Sequence, residues 1–257
     1  MNNITDINLY KFTWTKINQS EIEIGSYGSD YSVENLASSP DNYIYFVADK
    51  NNSDFTLIKR IDSENNIENW GYFYRSYSND LAIADDGSIY IGGYTTDRGG
   101  HWGAELPYQW QIDYEDALIR KIDPRDTSSQ PEVGWRRLFG ASPINYSGYE
   151  RIEAITTGPD GSVYVTGTTT GENLGDSLEH SWNQTYETLQ IYSGSQNVHD
   201  LGYTDAFVIK FNENGIHQWT NREEKQGSEV HSELIKVGPN NNIYIAGYSE
   251  DGIFYNG

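Results

Sequence analysis

The 257-residue chain has no cysteine, one methionine and seven prolines, and its 17 Lys and Arg are outnumbered by 38 Asp and Glu. Without cysteine there is no disulfide staple, no thiolate-held zinc and no thiol nucleophile. A formal charge of -21, with no Lys/Arg run as a local exception, repels a phosphate backbone, so no nucleic-acid partner is expected. No stretch of about 18 apolar residues is present to span a bilayer, so no membrane insertion is expected. The opening residues, Met1 to Asp6, lack the basic flank and apolar core of a secretory signal. A water-soluble chain is therefore expected: cytosolic, exported by a route that reads no N-terminal signal, or a piece of something longer.

What is abundant is aromatic and turn-forming. Twenty-one Tyr, seven Trp and 25 Gly give an aromatic share of 14%, too high for a disordered acidic tail. The length suits one all-β domain of about 200 to 250 residues, or two small ones. No helical periodicity of useful length is found.

The chain matches itself. Asp41 to Ala48 (DNYIYFVA), Asp86 to Gly93 (DGSIYIGG), Asp160 to Gly167 (DGSVYVTG) and Asn240 to Gly247 (NNNIYIAG) share one gapless register, with Tyr45, Tyr90, Tyr164 and Tyr244 at the same place in each. A second motif follows in three of them: Asp54 to Lys59 (DFTLIK), Asp116 to Lys121 (DALIRK) and Asp205 to Lys210 (DAFVIK). Each leads through a turn to a tryptophan, Trp70, Trp135 or Trp219, and Trp14 opens the chain as an orphan of that type. With the apolar run before each Tyr motif, as at Leu81 to Ala84 and Ile152 to Ile155, every repeat holds four short strand candidates. β-branched and aromatic runs between Asp-Gly turns predict strands joined by hairpins. The Gly after each Tyr predicts either a close backbone approach or a bulge.

Four antiparallel strands per unit describe a propeller blade, and the expected fold is an all-β propeller of about four repeats. The blades fall at about 31–78, 79–148 and 149–230, with a fourth split between 231–257 and 8–20. Asp251 to Asn256 is read as a degenerate third strand that the Trp14 strand completes as a closing clasp. Two chains sharing an eight-bladed ring, or a fragment of a longer array, are the alternatives. An open array exposes edges, so closure of some kind is expected.

These residues resemble the SBBP beta-propeller repeat family, whose units read as a strand, Asp-Gly-x-x-Tyr-x-x-Gly, Asp-Ala-x-x-x-Lys, then a Trp-containing strand. Asp160 to Gly167 and Asp205 to Trp219 match best, and the resemblance covers nearly the whole chain. Asp41 to Ala48 departs by lacking the Gly-Ser pair, and Asn240 stands where Asp is usual. The resemblance implies a tandem-repeat protein of the bacterial, especially cyanobacterial, cell surface or exterior. It implies the fold more than an activity.

Two insertions interrupt the repeat at one topological place, 95–115 and 168–204. Equivalent loops emerge on one face, so the pair should stand side by side. Both carry aromatics and histidine: His101, Trp102, Tyr108, Trp110 and Tyr114 in the first, His180, Trp182, Tyr186, Tyr192 and His199 in the second. The candidate ligand-binding residues are His101, Trp102, Tyr108, Trp110, His180, Trp182 and Tyr186. Rings stack on the C–H faces of sugars while amides and carboxylates bond hydroxyls, which makes a glycan the expected ligand. The competing reading has the same aromatics pinning their own loops.

No cofactor is assigned. Asp86 and Asp160 read as turn residues bonding their local backbone. Calcium is the cation such carboxylates would take, although neither an EF-hand nor a Gly-Gly-x-Gly-x-Asp repeat is present. The Asp and Lys of the second motif recur as pairs in all three units that carry it, which argues for structure, since a catalytic residue is normally unique. The five histidines lack metal-ligand spacing, and no nucleophile elbow or phosphate-cradling loop is found.

The expected function is a non-catalytic binding, adhesion or display module, extracellular or at the cell surface, with a glycan, a protein or other copies of the chain as partner. A structural subunit of a filament, sheath or virion is one alternative. A propeller hydrolase or lyase acting on polysaccharide is the other, and it would need a non-repeating, pKa-perturbed carboxylate or His on the insertion face.

Overall fold

The structure is a computed structural model that describes residues 31–50, 55–64, 66–74, 76–95, 115–124, 133–139, 149–170, 177–178, 188–189, 204–223, 228–250 and 252–256. All regular structure in these residues is strand. The first sheet is a meander of β1 (Tyr31–Ser38), β2 (Ile44–Lys50), β3 (Phe55–Ile61) and β4 (Ile67–Tyr74). The second repeats it with β5 (Ser76–Ile83), β6 (Ile89–Thr95), β7 (Asp116–Ile122) and β8 (Val133–Phe139). β9 (Glu150–Thr157) and β10 (Val163–Thr169) begin the third, and a two-residue pair, β11 (Ser177–Leu178) with β12 (Thr188–Leu189), intervenes before β13 (Asp205–Phe211) and β14 (His217–Glu223) complete it. The fourth has three described strands, β15 (Val230–Val237), β16 (Ile243–Ser249) and β17 (Gly252–Asn256), so the third strand read from Asp251 to Asn256 is present.

The repeated sequence motifs are repeated turns and contacts. Asn42, Gly87, Gly161 and Asn241 take positive φ (67°, 85°, 75° and 61°) at the same turn between first and second strands. Asn tolerates the left-handed region better than other side chains, which is how the first and fourth units dispense with the Asp-Gly pair. Asp86 and Asp160 each accept from the backbone N–H (2.9 and 3.1 Å) and hydroxyl (2.9 and 2.8 Å) of the Ser two residues on. Their turn role is thus visible in the bonds they make.

Three of the four recurring Tyr lie beside the Trp of their own sheet: Tyr45 with Trp70, Tyr90 with Trp135 and Tyr164 with Trp219, at ring separations of 5.1, 5.7 and 6.1 Å. A cation covers the Tyr, with Lys121 and Lys210 Nζ lying 5.5 and 5.2 Å from the rings of Tyr90 and Tyr164. In the first sheet the partner opposite Tyr45 is Arg60, not Lys59. The sequence alignment of DFTLIK with DALIRK is therefore one residue out there. Lys59 faces the other side of the strand, where it is buried and its ammonium is pushed below its usual range by that burial. Asp54, the first residue of that motif, lies outside the described residues.

The Gly after the Tyr serves both roles foreseen for it. A β-bulge interrupts the first strand of every sheet at one place, skipping Glu34, Asn79, Glu153 and Glu233. Gly93 sits opposite this bulge, and a Cβ there would stand 1.9 Å from the Tyr77 carbonyl oxygen.

Cores form between consecutive sheets. Tyr45, Val47, Ile58 and Trp70 of the first meet Leu81, Ile89, Ile91 and Ile122 of the second. Tyr90, Ala117 and Ile119 meet Ile155, Val163, Val165 and Phe207 of the third. Tyr164 and Val208 of the third meet Ile235 of the fourth, with Ile243 and Ile245 packed alongside. Each sheet so has a leading face toward the one before and a trailing face toward the one after.

Buried polar groups lock these contacts. Asp49 of the first sheet accepts from Ser78 N (3.0 Å) of the second. Asp80 of the second accepts from Ile155 N (2.8 Å) of the third and from the Asn35 amide of the first. Ser232 of the fourth donates to Gly167 O (2.8 Å) of the third. The closed ring expected from the sequence is not found among the described residues: the sheets stand in series, each packed on its neighbour.

Candidate functional site

The strand registers place both insertions at the same end of neighbouring sheets. The 95–115 segment joins β6 to β7, whose last pair is Thr95 with Asp116, and the 168–204 segment joins β10 to β13, whose last pair is Thr169 with Asp205. Thr168 and Thr169 still belong to the strand, paired with Ala206 and Asp205. The residues expected to bind ligand, His101, Trp102, Tyr108, Trp110, His180, Trp182 and Tyr186, lie outside the described residues.

What is described is the base from which the insertions rise. One step in from the strand ends, the first and second strands of each sheet pair Ser32 with Asp49, Tyr77 with Tyr94, Arg151 with Thr168 and His231 with Tyr248. The Tyr77 and Tyr94 rings stack at 4.7 Å and 15°, and those of His231 and Tyr248 at 4.6 Å and 12°. Between the stacks, the Arg151 guanidinium lies 4.6 Å from the Tyr94 ring centre and pairs with the Glu115 carboxylate. His231 Nε2 lies 3.2 Å from Glu229 Oε2.

The bulge residues stand next in line. Asn79 Nδ2 donates to Ile152 O (2.8 Å) and Glu153 Oε2 (3.1 Å). Burial raises the Glu153 carboxyl above its usual range, an effect opposed by the positive charge of Arg151 and reinforced by the negative charge of Glu233. Burial pushes the Tyr94 hydroxyl up to about 12, and it pushes the Asp49 and Asp116 carboxyls up to about 6. Asp205, at the position of Asp116 in the next sheet, pairs with Arg222.

This ledge combines half-buried aromatic stacks with an amide, a guanidinium and carboxylates, groups that hydrogen-bond hydroxyls while rings present flat apolar faces. Its members were passed over in the sequence because each sits inside a strand. The available signal was variation: at a fixed place in an otherwise repeating unit the residue changes from Tyr77 to Arg151 to His231. Among the described residues no group of three or more His, Asp or Glu is arranged to hold a metal ion. No helix among them is long and apolar enough to cross a membrane. Compared with family models and with curated proteins, the chain matches none.

Proposed function

We propose that the chain is a non-catalytic β-propeller module, built of SBBP-type blades, that binds a glycan on the face from which its two aromatic insertions rise. The observation that carries this reading is the ledge at their base, where the Tyr77–Tyr94 and His231–Tyr248 stacks flank Arg151, Asn79 and Glu153. Aromatic faces with hydroxyl-bonding groups between them suit a polyhydroxylated ligand. Trp102, Trp110 and Trp182 supply further rings from the insertions. The setting is extracellular or at the cell surface.

A polysaccharide hydrolase would need a perturbed carboxylate here; burial raises Asp49 and Asp116 as well as Glu153, and Glu153 is the one that stands on a bulge beside Arg151. Its counterparts Glu34 and Glu233 recur at the same bulge, and it is held by Asn79, so we assign it to binding. The test is retention on a panel of immobilised polysaccharides. Trp102→Ala, Trp182→Ala and Arg151→Ala should each weaken retention at least tenfold while the far-ultraviolet dichroism is unchanged. Retention equal to the parent in all three, or no retention by the parent on any polysaccharide, overturns the reading. Release of reducing sugar from a bound polysaccharide, lost in Glu153→Gln, would establish the hydrolase instead.

A further inference from the structure

Arg120 is a buried cation that lacks a counterion among the described residues. It lies on β7 opposite Ile91 of β6 and faces the seam between the first and second sheets, where its guanidinium stands 4.3 Å from the ring centre of Phe73. The residue is 7% exposed. Among the described residues no carboxylate pairs with it and no acceptor takes a hydrogen bond from it. Directly across on β8 stands a second cation, Arg136. Burial, reinforced by the charge of Arg136, pushes the Arg120 guanidinium down to about 9, so it stays charged at neutral pH.

The other units show that the frame does not require this residue. Opposite the residue after the recurrent Tyr, the first sheet has Lys59 and the third has Ile209, both buried. Across from them on the fourth strands are Asn69 and Thr220, so the facing pair of arginines belongs to the second sheet alone among the three. A desolvated guanidinium with unused donors is costly, and like charges directly opposite on neighbouring strands add repulsion. The Phe73 ring attracts the charge yet leaves the fork of N–H donors unbonded. The chain has 38 Asp and Glu, and none of those described meets Arg120. An apolar side chain, as at Ile209, would avoid every one of these costs.

We propose that Arg120 and Arg136 bind a small, doubly charged oxyanion, inorganic phosphate or sulfate, in the seam between the first and second sheets. The planar fork of a guanidinium matches two oxygens of such an ion, and the second guanidinium opposite favours a second negative charge. The ion is small because Arg120 is 7% exposed, which leaves no path for a polymer. The charge of -21 acts in the same direction, since it repels a polyanion more than a single ion. The site does not depend on the glycan reading: Arg120 lies near the end of β7 that is remote from the insertion, next but one to its last residue, Ile122.

The test is thermal melting of the full chain in sodium phosphate, sodium sulfate and sodium acetate, each against sodium chloride at equal ionic strength. Phosphate and sulfate also stabilise folded proteins by exclusion from their surfaces, without saturating, so the variants decide. Arg120→Ile and Arg120→Lys introduce side chains that the third and first sheets already hold at this place. In the parent the melting temperature should rise with phosphate or sulfate and saturate, and the ion with the lower half-saturating concentration is the better ligand. Arg120→Lys keeps the charge and loses the fork, and should raise that concentration about tenfold. Arg120→Ile should lose the saturable rise. A rise that does not saturate in the parent, or that is equal in the parent and Arg120→Ile, overturns the site. If Arg120→Ile does not fold, an unchanged half-saturating concentration in Arg120→Lys overturns it. A saturable rise in acetate as large as in either dianion overturns the assignment to a doubly charged ion.

Discussion

Tyr90→Ala tests the sheet-to-sheet architecture at its centre. The Tyr90 side chain is 1% exposed, its ring lies 5.7 Å from that of Trp135, and Lys121 Nζ sits over its face. It belongs to the core shared with Ile155, Val163 and Phe207 of the next sheet, so truncation removes packing within one sheet and between two. Deleting a buried aromatic side chain costs about 3 to 5 kcal/mol. Loss of the ring pair is worth about 0.5 to 1.5 kcal/mol and is part of that figure. Tyr244→Ala is the internal control, since it removes the same ring from the same repeat position where it is half-exposed, and is expected to cost about 1 kcal/mol in the monomer. Tyr90→Phe isolates the hydroxyl, whose burial pushes its pKa up to about 12, and should cost about 1 kcal/mol. Urea unfolding followed by far-ultraviolet dichroism, at concentrations where the chain is dilute, gives the three values as midpoint shifts at constant slope. The reasoning fails if Tyr90→Ala and Tyr244→Ala differ by less than about 1 kcal/mol, because Tyr90 is buried under the next sheet and against Trp135 whereas Tyr244 is half-exposed.

Acidification should stabilise the fold. Asp49 and Asp116 keep their protons up to about pH 6 when folded and release them near 4 when unfolded, so the folded state holds more protons between those values. Stability present at the acid end of that window is lost as pH rises through 6, and the melting temperature should therefore climb from pH 7 to pH 5. Asp49→Asn should flatten the climb, and a melting temperature that falls over that range in the parent would refute the assignment. Gly93→Ala should cost at least about 2 kcal/mol, since its Cβ would meet the Tyr77 carbonyl at 1.9 Å, and a loss under about 0.5 kcal/mol would mean that the bulge opposite is misplaced.

The strands were legible because their signals repeat. The Asp-Gly turn fixes a left-handed residue three before the Tyr, the Tyr fixes the second strand, and the Trp beside it fixes the fourth. Where one signal was chemically ambiguous the reading slipped. DFTLIK shows Asp and Lys at the spacing of DALIRK, yet the strand is set by pairing Tyr45 with Arg60, which turns Lys59 to the opposite face. A side-chain period of two makes a one-residue slip reverse every residue, and sequence alone gave no weight to Arg60 over its neighbour. The bulge was similarly hidden. It lies in the first strand, which carries no recurring Gly, Tyr or Trp to mark a register, and only the Gly opposite it hinted at the close approach.

The ledge illustrates why repetition cuts against finding a site. Four bulges place Glu34, Asn79, Glu153 and Glu233 at one level, and recurrence marks that level as part of the frame. Beside it the frame holds a position at which chemistry is free to change, and there Tyr77, Arg151 and His231 differ while their backbone pairing does not. A constant backbone with a varied side chain is how one repeat can supply different contacts to a single ligand from adjacent sheets. The long insertions follow the same division, since they occur only in the second and third sheets, at the strand end where Tyr94 and Arg151 meet. On the proposed reading, structure is carried by what recurs in every unit, and recognition by what does not.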